Sequence, residues 1–403
     1  MLFAMRRARE EHMEPQDTYS GLKARVIETT SAFEALEGDW RDLYRDAPQA
    51  TPFQSFGWLF SWWRNYAEED ASLALKLIEL RERESDLLVG LAPLVIERAA
   101  PSLRILKLLG SGVTDYGDLL VRQGREREVF DAFAEEITAL PGWNVADLRQ
   151  LRPGSPVFGA IERLKLPRTV LVEDGYPTIE ASSWEEAIKP VSGNLRSMAR
   201  RSVRRLAAEG IECVPVVKGT SPEMVEAAAR RFVALHREYW RDRGISPEHL
   251  KDRFERHLVS AALGMVPEGS MQIREFIKGE EGVVASQVLV LREGYVGHLL
   301  SGARPEVMRK YQISSVFVYD GFAAAETLGG ARVFDFLRGE EPYKLRWTGT
   351  VRPGRRVVLA RSPYLVRLYA GSVRLLVSLK GYARSEAAPA PVRKARKLLN
   401  ALR

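Results

Sequence analysis

The chain has 403 residues, 45% of them hydrophobic and 28% charged, with a formal net charge of +7 and an isoelectric point near 9.4. A single cysteine, Cys213, excludes an internal disulfide framework, and no run of about 18 apolar residues is present to cross a bilayer as a helix. The basic excess points to an anionic partner: a phosphate-bearing cosubstrate, an acidic membrane surface or a nucleic acid.

The N-terminal MLFAMRRAREEHMEPQD lacks the apolar core of a signal peptide. Residues 1–21 are expected to be disordered and the protein cytoplasmic. ARVIETT (24–30) reads as a strand, followed by a helix capped by Ser31 and running to about Arg45, with Phe33, Leu36, Trp40 and Leu43 on one face. An aromatic-rich helix over 57–67 carries Trp62, which serves either the core or the wall of an apolar cleft. Three strands (73–80, 87–98, 103–110) form a meander, and a Gly-rich turn then presents Asp115, Tyr116 and Asp118. A helix, a strand (NVADLRQL), a short helix and a strand (RTVLVED) complete a unit ending near residue 180.

Gly175 to Ser183 reads as a linker. Beyond it the same order returns: a helix (NLRSMARRSVRRLAAE) whose exposed face is arginine, a strand, two helices, a meander, a helix and a strand. This repetition suggests an internal duplication. The expected division is 1–21 disordered, 22–180 a first domain, 181–355 a second, and 356–403 a basic amphipathic tail that docks on a membrane surface or packs on the body. The fold class is α/β: tandem domains, each a mixed, mostly antiparallel sheet flanked by helices, plus the C-terminal helical tail.

Chemistry concentrates in DFLRGEEPYKLRW (335–347), where a strand end leads into a loop dense in ionisable groups. Asp335 and Glu340 are candidate bases, Tyr343 a candidate acid, and Lys344 a cation for a phosphate or carbonyl oxygen. His298, in mid-strand, and His236, four residues before Trp240 on one helix face, are alternative bases or structural histidines. Arg309, Lys310, Gln312, Ile313, Ser314 and Ser315 occupy a basic loop and helix start of the kind that cradles a pyrophosphate. His249 and His257, eight residues apart, lack the spacing of a metal site, and none is expected.

FQSFGWLFSWW, VGLAPL, LLGSGVTDYGDLL, LRSMARRSVRRLAAEG, FVALHREYW, VASQVLVL and DFLRGEEPYKLRW occur in order across about residues 24–350. Together they resemble the GNAT-like acetyltransferases of the cellulose-biosynthesis (CelD/BcsL) type, relatives of the FemAB aminoacyl transferases. Where that family usually has Pro-Gly, this chain has Gln312-Ile313. The resemblance implies tandem GNAT-like domains, with acyl-CoA or acetyl-CoA held by the C-terminal one, and transfer of the acyl group to an amine or hydroxyl of a lipid or glycan precursor. Trp62, Tyr116, Arg200, Arg204 and Trp240 are then candidate substrate contacts. The alternatives are FemAB-like aminoacyl transfer from tRNA and a non-catalytic accessory role in envelope assembly. Nucleic acid is the less favoured partner, because aromatics do not interleave with the arginines as stacking platforms would.

Overall fold

The computed structural model describes residues 21–241, 248–326 and 332–384. The expected disordered N-terminus and the basic segment after Arg384 lie outside the described residues. The chain opens with β1 (Leu22–Ile27), α1 (Thr30–Ala35), α2 (Glu37–Asp46) and α3 (Phe56–Trp62), then β2 (Leu73–Glu82), β3 (Leu88–Ala100), β4 (Leu103–Leu108) and β5 (Leu120–Val121). It continues through α4 (Glu126–Ala139), β6 (Val145–Leu151), α5 (Pro156–Arg163) and β7 (Arg168–Glu180). The second half comprises α6 (Trp184–Ala187), α7 (Gly193–Ala208), β8 (Ile211–Val216), α8 (Pro222–Arg241), α9 (Asp252–Met265), β9 (Met271–Lys278), β10 (Val283–Arg292) and β11 (Tyr295–Ala303). It closes with α10 (Pro305–Tyr311), α11 (Ile313–Glu326), β12 (Val333–Asp335), α12 (Pro342–Leu345), β13 (Val351–Ala360) and α13 (Pro363–Arg384).

The strands join in the order β1-β2-β3-β4-β6-β13-β7-β12-β11-β10-β9-β8, with β5 beside β3. Pairing is antiparallel except for β4 with β6 and β11 with β12. The fold is thus α/β, a mixed and mostly antiparallel sheet flanked by helices. β7 is the seam: its body pairs with β13, while Thr178–Glu180 pair with β12.

Strand alternation assigns the layers. In β13, Val357 and Leu359 face the core under α4 and α5, whereas Val358 and Ala360 face α13. In the second half α7 and α11 cover one face, and α8 and α9 the other. One core is common to both halves, because α3 crosses α9 at two glycines. A Cβ on Gly264 would stand 3.1 Å from the Gly57 Cα, so the helices touch at their backbones.

Several expectations need correcting. Thr29, not Ser31, caps the first helix, its hydroxyl accepting from the Ala32 amide, and the chain breaks at Leu36 into α1 and α2. The aromatic helix ends as a wider-coiled turn over Trp63–Ala67. The linker expected at 175–183 is largely strand: Tyr176, Thr178 and Ile179 are buried between β13 and β12, and the pairing outweighs the local Gly and Pro. The basic stretch before the cradle helix is itself helical, as α10. The expected boundary at 355 falls inside β13, which returns to the first half of the sheet. Among the described residues no helix is long and apolar enough to cross a membrane.

Candidate active site

The site begins where two parallel strands part. β11 and β12 pair only at Tyr295–Val333, Val296–Phe334 and Gly297–Asp335. After Asp335 the chain turns onto β7, with the Phe336 amide on the Pro177 carbonyl and the Gly339 amide on that of Gly175. Leu337 takes a left-handed φ of 59° to make that turn, so the expected strand RVFDFLRG stops at Asp335. β11 runs on to Ala303, and its pairing with β10 slips at Leu299. Beyond Gly297, β11 therefore runs on from His298 without a partner strand on its β12 side among the described residues.

At the apex sits Asp335, fully buried. One carboxylate oxygen accepts the Tyr116 hydroxyl at 2.7 Å and that of Tyr295 at 3.2 Å, while the other accepts the Leu337 amide at 2.7 Å. Burial pushes its pKa up to about 6, against the lowering effect of the Tyr116 hydrogen bond. Tyr116 belongs to the first half. Its ring lies 4.4 Å from that of Tyr176, whose hydroxyl donates to the Asp115 carbonyl at 2.7 Å. The Asp115 carboxylate meets Arg338 at 3.3 Å. Two residues expected to have separate roles, Asp335 and Tyr116, thus form one buried clamp across the seam.

His298 lies just past the apex on β11, buried, its Nε2 without a hydrogen-bond partner among the described residues. Burial, helped by the Lys344 charge, lowers its pKa to about 3, so the ring is neutral at ordinary pH. Lys344, on α12, is buried and spends its protons on the carbonyls of Leu337 (3.4 Å) and Arg338 (2.8 Å) and on Glu341 (2.9 Å). It fixes the turn after β12 and places a positive charge beside His298. Tyr343 is half-buried, and burial and Glu341 raise its pKa. Glu340 is exposed and accepts the Gly175 amide at 3.2 Å. His236, on α8 across β11, is apart from this group. Its Nδ1 is 2.8 Å from the Ser301 carbonyl, its ring is 4.6 Å from that of His249, and burial lowers its pKa to about 4.

Arg309 and Lys310 end α10, Gln312 adopts a left-handed conformation (φ 49°), and Ile313, Ser314 and Ser315 open α11. The first-turn amides of α11 are donors that the helix itself does not satisfy. Lys310 and Tyr311 both bind the Glu209 carboxylate at the end of α7, holding it at a pKa of about 2, and Arg205 donates to the Lys310 carbonyl at 3.3 Å. This junction brings the arginine face of α7 beside the proposed cradle. Arg196, Arg200, Arg201 and Arg204 line an open depression of about 470 Å³, and α7 carries no acid.

Trp62 stacks on Tyr66 at 5.7 Å within the shared core, and Trp240 packs near His236 and His249 at the end of α8. Sequence reading missed Tyr295 and Tyr176, and it gave no role to Arg338, which lies in the dense run; these are the other members of the clamp. Tyr295 is visible in the sequence only as the first residue of a strand. The turn residue Asp118 was seen but not its environment: it is buried, bonded to Ser155 at 2.8 Å, and raised by burial to about pKa 6.

Residues 193–345, from the start of α7 to the end of α12, match the family profile described as an acetyltransferase (GNAT) domain. No curated protein sequence matches the chain. Among solved structures it is similar to FemX (TM-score 0.55, 12% identity, 85% of this chain and 98% of that one). It is also similar to the C-terminal domain of a putative lysylphosphatidylglycerol synthetase from Agrobacterium fabrum (0.52, 11%, 86% and 97%). A third likeness is to a conserved protein of unknown function from Bacteroides thetaiotaomicron (0.51, 10%, 84% and 99%). At these identities the likeness concerns the fold, and it extends over both halves. The match to the acetyltransferase (GNAT) domain profile lies within that fold, and the parted strands lie inside the matched segment.

Proposed function

We propose that this protein transfers an acyl group from acyl-CoA or acetyl-CoA to an amine or hydroxyl of a lipid or glycan precursor, with N-acylation of a long-chain lipid amine as one version. The carrying observation is His298: a neutral, buried imidazole with an unpartnered Nε2, on the open edge of β11 within the GNAT-matched segment. In this reading the acceptor attacks the thioester carbonyl, forming a C–N or C–O bond and breaking the C–S bond. His298 takes the acceptor's proton, and the half-buried Tyr343 or the protonated imidazole returns one to the departing thiolate. The first-turn amides of α11, with Arg309 and the α7 arginines, would hold the phosphates. Asp335, whose oxygens are all engaged, acts as a positioning residue. The resemblance to the cellulose-biosynthesis type, and the assignment of donor binding to residues 181–355, are parts of the same reading. A lipid acceptor would bring the protein to the inner face of a membrane.

The test has two arms. Acetyl-CoA or a long-chain acyl-CoA is expected to raise the melting temperature. His298→Gln is expected to keep that shift while losing about a hundredfold or more in transfer rate. No stabilisation by any thioester overturns the donor assignment, and an unimpaired His298→Gln overturns the base. A second reading, aminoacyl transfer from tRNA, is favoured by the FemX-like fold and the acid-free arginine face of α7. Stabilisation by bulk tRNA but not by thioesters would select it. A non-catalytic accessory role would leave the protein's cellular function intact in the His298→Gln variant.

A further inference from the structure

α13 is apolar on two opposite faces. Val366, Ala370 and Val373 pack it onto Leu171, Val358 and Ala360 of the sheet. The opposite side exposes Tyr364 (77%), Leu368 (73%), Leu375 (59%), Leu379 (53%) and Tyr382 (50%). At 100° per residue these five fall on one stripe, with a tyrosine at each end about 27 Å apart. A contiguous apolar stripe of this length marks an interaction surface, unlike scattered exposures such as those of Val214 and Met224.

Charge selects the occupant. From Pro363 to Arg384 the helix contains Arg367, Arg374, Lys380 and Arg384 and no acid. Arg367 and Arg374 are exposed and flank the stripe on one side. The sequence that follows adds Arg393, Lys394, Arg396, Lys397 and Arg403 against one acid, Glu386. A second copy laid on the stripe would set these cations against their own equivalents. Anionic lipid headgroups would neutralise them while the acyl region takes the leucines, and tyrosines suit the boundary between the two. We infer that α13 is a membrane-docking helix that lies in the surface of an anionic bilayer with Leu368, Leu375 and Leu379 inserted. The helix is too polar to span, so this contact is peripheral. The inference does not depend on the acyl-transfer reading, since α13 lies outside the GNAT-matched segment.

The experiment is flotation of the full chain with vesicles of phosphatidylcholine alone or mixed with phosphatidylglycerol. The protein is expected to float with the mixed vesicles only, and to be released by salt. Arg367→Gln with Arg374→Gln is expected to weaken partition roughly thirtyfold, and Leu375→Asp with Leu379→Asp to abolish it. Both pairs are exposed, so unchanged circular dichroism and an unchanged melting temperature serve as folding controls. Equal binding to both vesicle types, binding unaffected by the aspartates, or no binding overturns the inference. So does a dimer in light scattering that Leu375→Asp with Leu379→Asp dissociates.

Discussion

At the scale of single residues the clamp decides what Asp335 does. A carboxylate with no solvent contact and three donors already placed cannot approach a substrate without breaking the seam it holds. Tyr116→Phe removes one donor and leaves the charge less compensated, at an expected cost of about 1–3 kcal/mol in urea unfolding. The folded pKa of Asp335 lies above its unfolded value, so its ionised form costs stability above about pH 6 and the penalty is absent below about pH 4. The Tyr116→Phe loss should therefore be larger at about pH 8 than at about pH 5. An unchanged loss at the two values would mean that the hydroxyl does not serve the charge. Asp335, Tyr343 and Lys344 stood out in the sequence because they are polar residues in a dense run. The Tyr116–Asp335 contact did not, because the two are 219 positions apart and nothing local announces it.

At the scale of elements, the legible parts were those with a strong period. The β2–β3–β4 and β9–β10–β11 meanders, amphipathic α8 and α9, and arginine-faced α7 stand where the pattern puts them. What failed was set by pairing across the chain. Gly175 and Pro177 read as a linker, yet β7 is held straight by β13, a strand that follows it by more than a hundred residues. In the same way Leu337 reads as a strand residue but takes a left-handed turn because its amide is claimed by Asp335. The α3–α9 crossing is another such long-range contact. Gly264→Val would force side-chain atoms into the Gly57 backbone, at an expected cost of about 1–3 kcal/mol read by denaturant midpoint. A neutral result would show that the two helices separate freely.

At the scale of the molecule, His236, His257 and His298 are buried and His249 is partly buried, and desolvation lowers each: His236 to about 4, and His249, His257 and His298 to about 3. A folded pKa below the unfolded one means that the unfolded chain binds more protons between those values. The stability of the neutral rings is then present above about pH 6.5 and lost as pH falls toward 3. Carboxylates raised by burial, Asp335 and Asp118 to about 6 together with Asp115, Glu136 and Glu268, act in the opposite sense, while carboxylates lowered by their partners, Glu209 to about 2 among them, lose stability with the histidines as pH falls. The melting temperature should fall steadily from about pH 6.5 to 4, and His257→Asn should flatten that slope. A profile flat across this range would refute the buried neutral rings.

The position of β13 has a consequence for synthesis. Chain growth delivers β6 and β7 early, but the strand that belongs between them arrives only after the whole of the second half has been made. Until residue 360 emerges, β6 and β7 of the first half wait with open edges, and edges of that kind invite pairing with the wrong chain. The first half therefore cannot close before the second has been made, and its sheet is complete only once residues up to 360 are available to fill the seam.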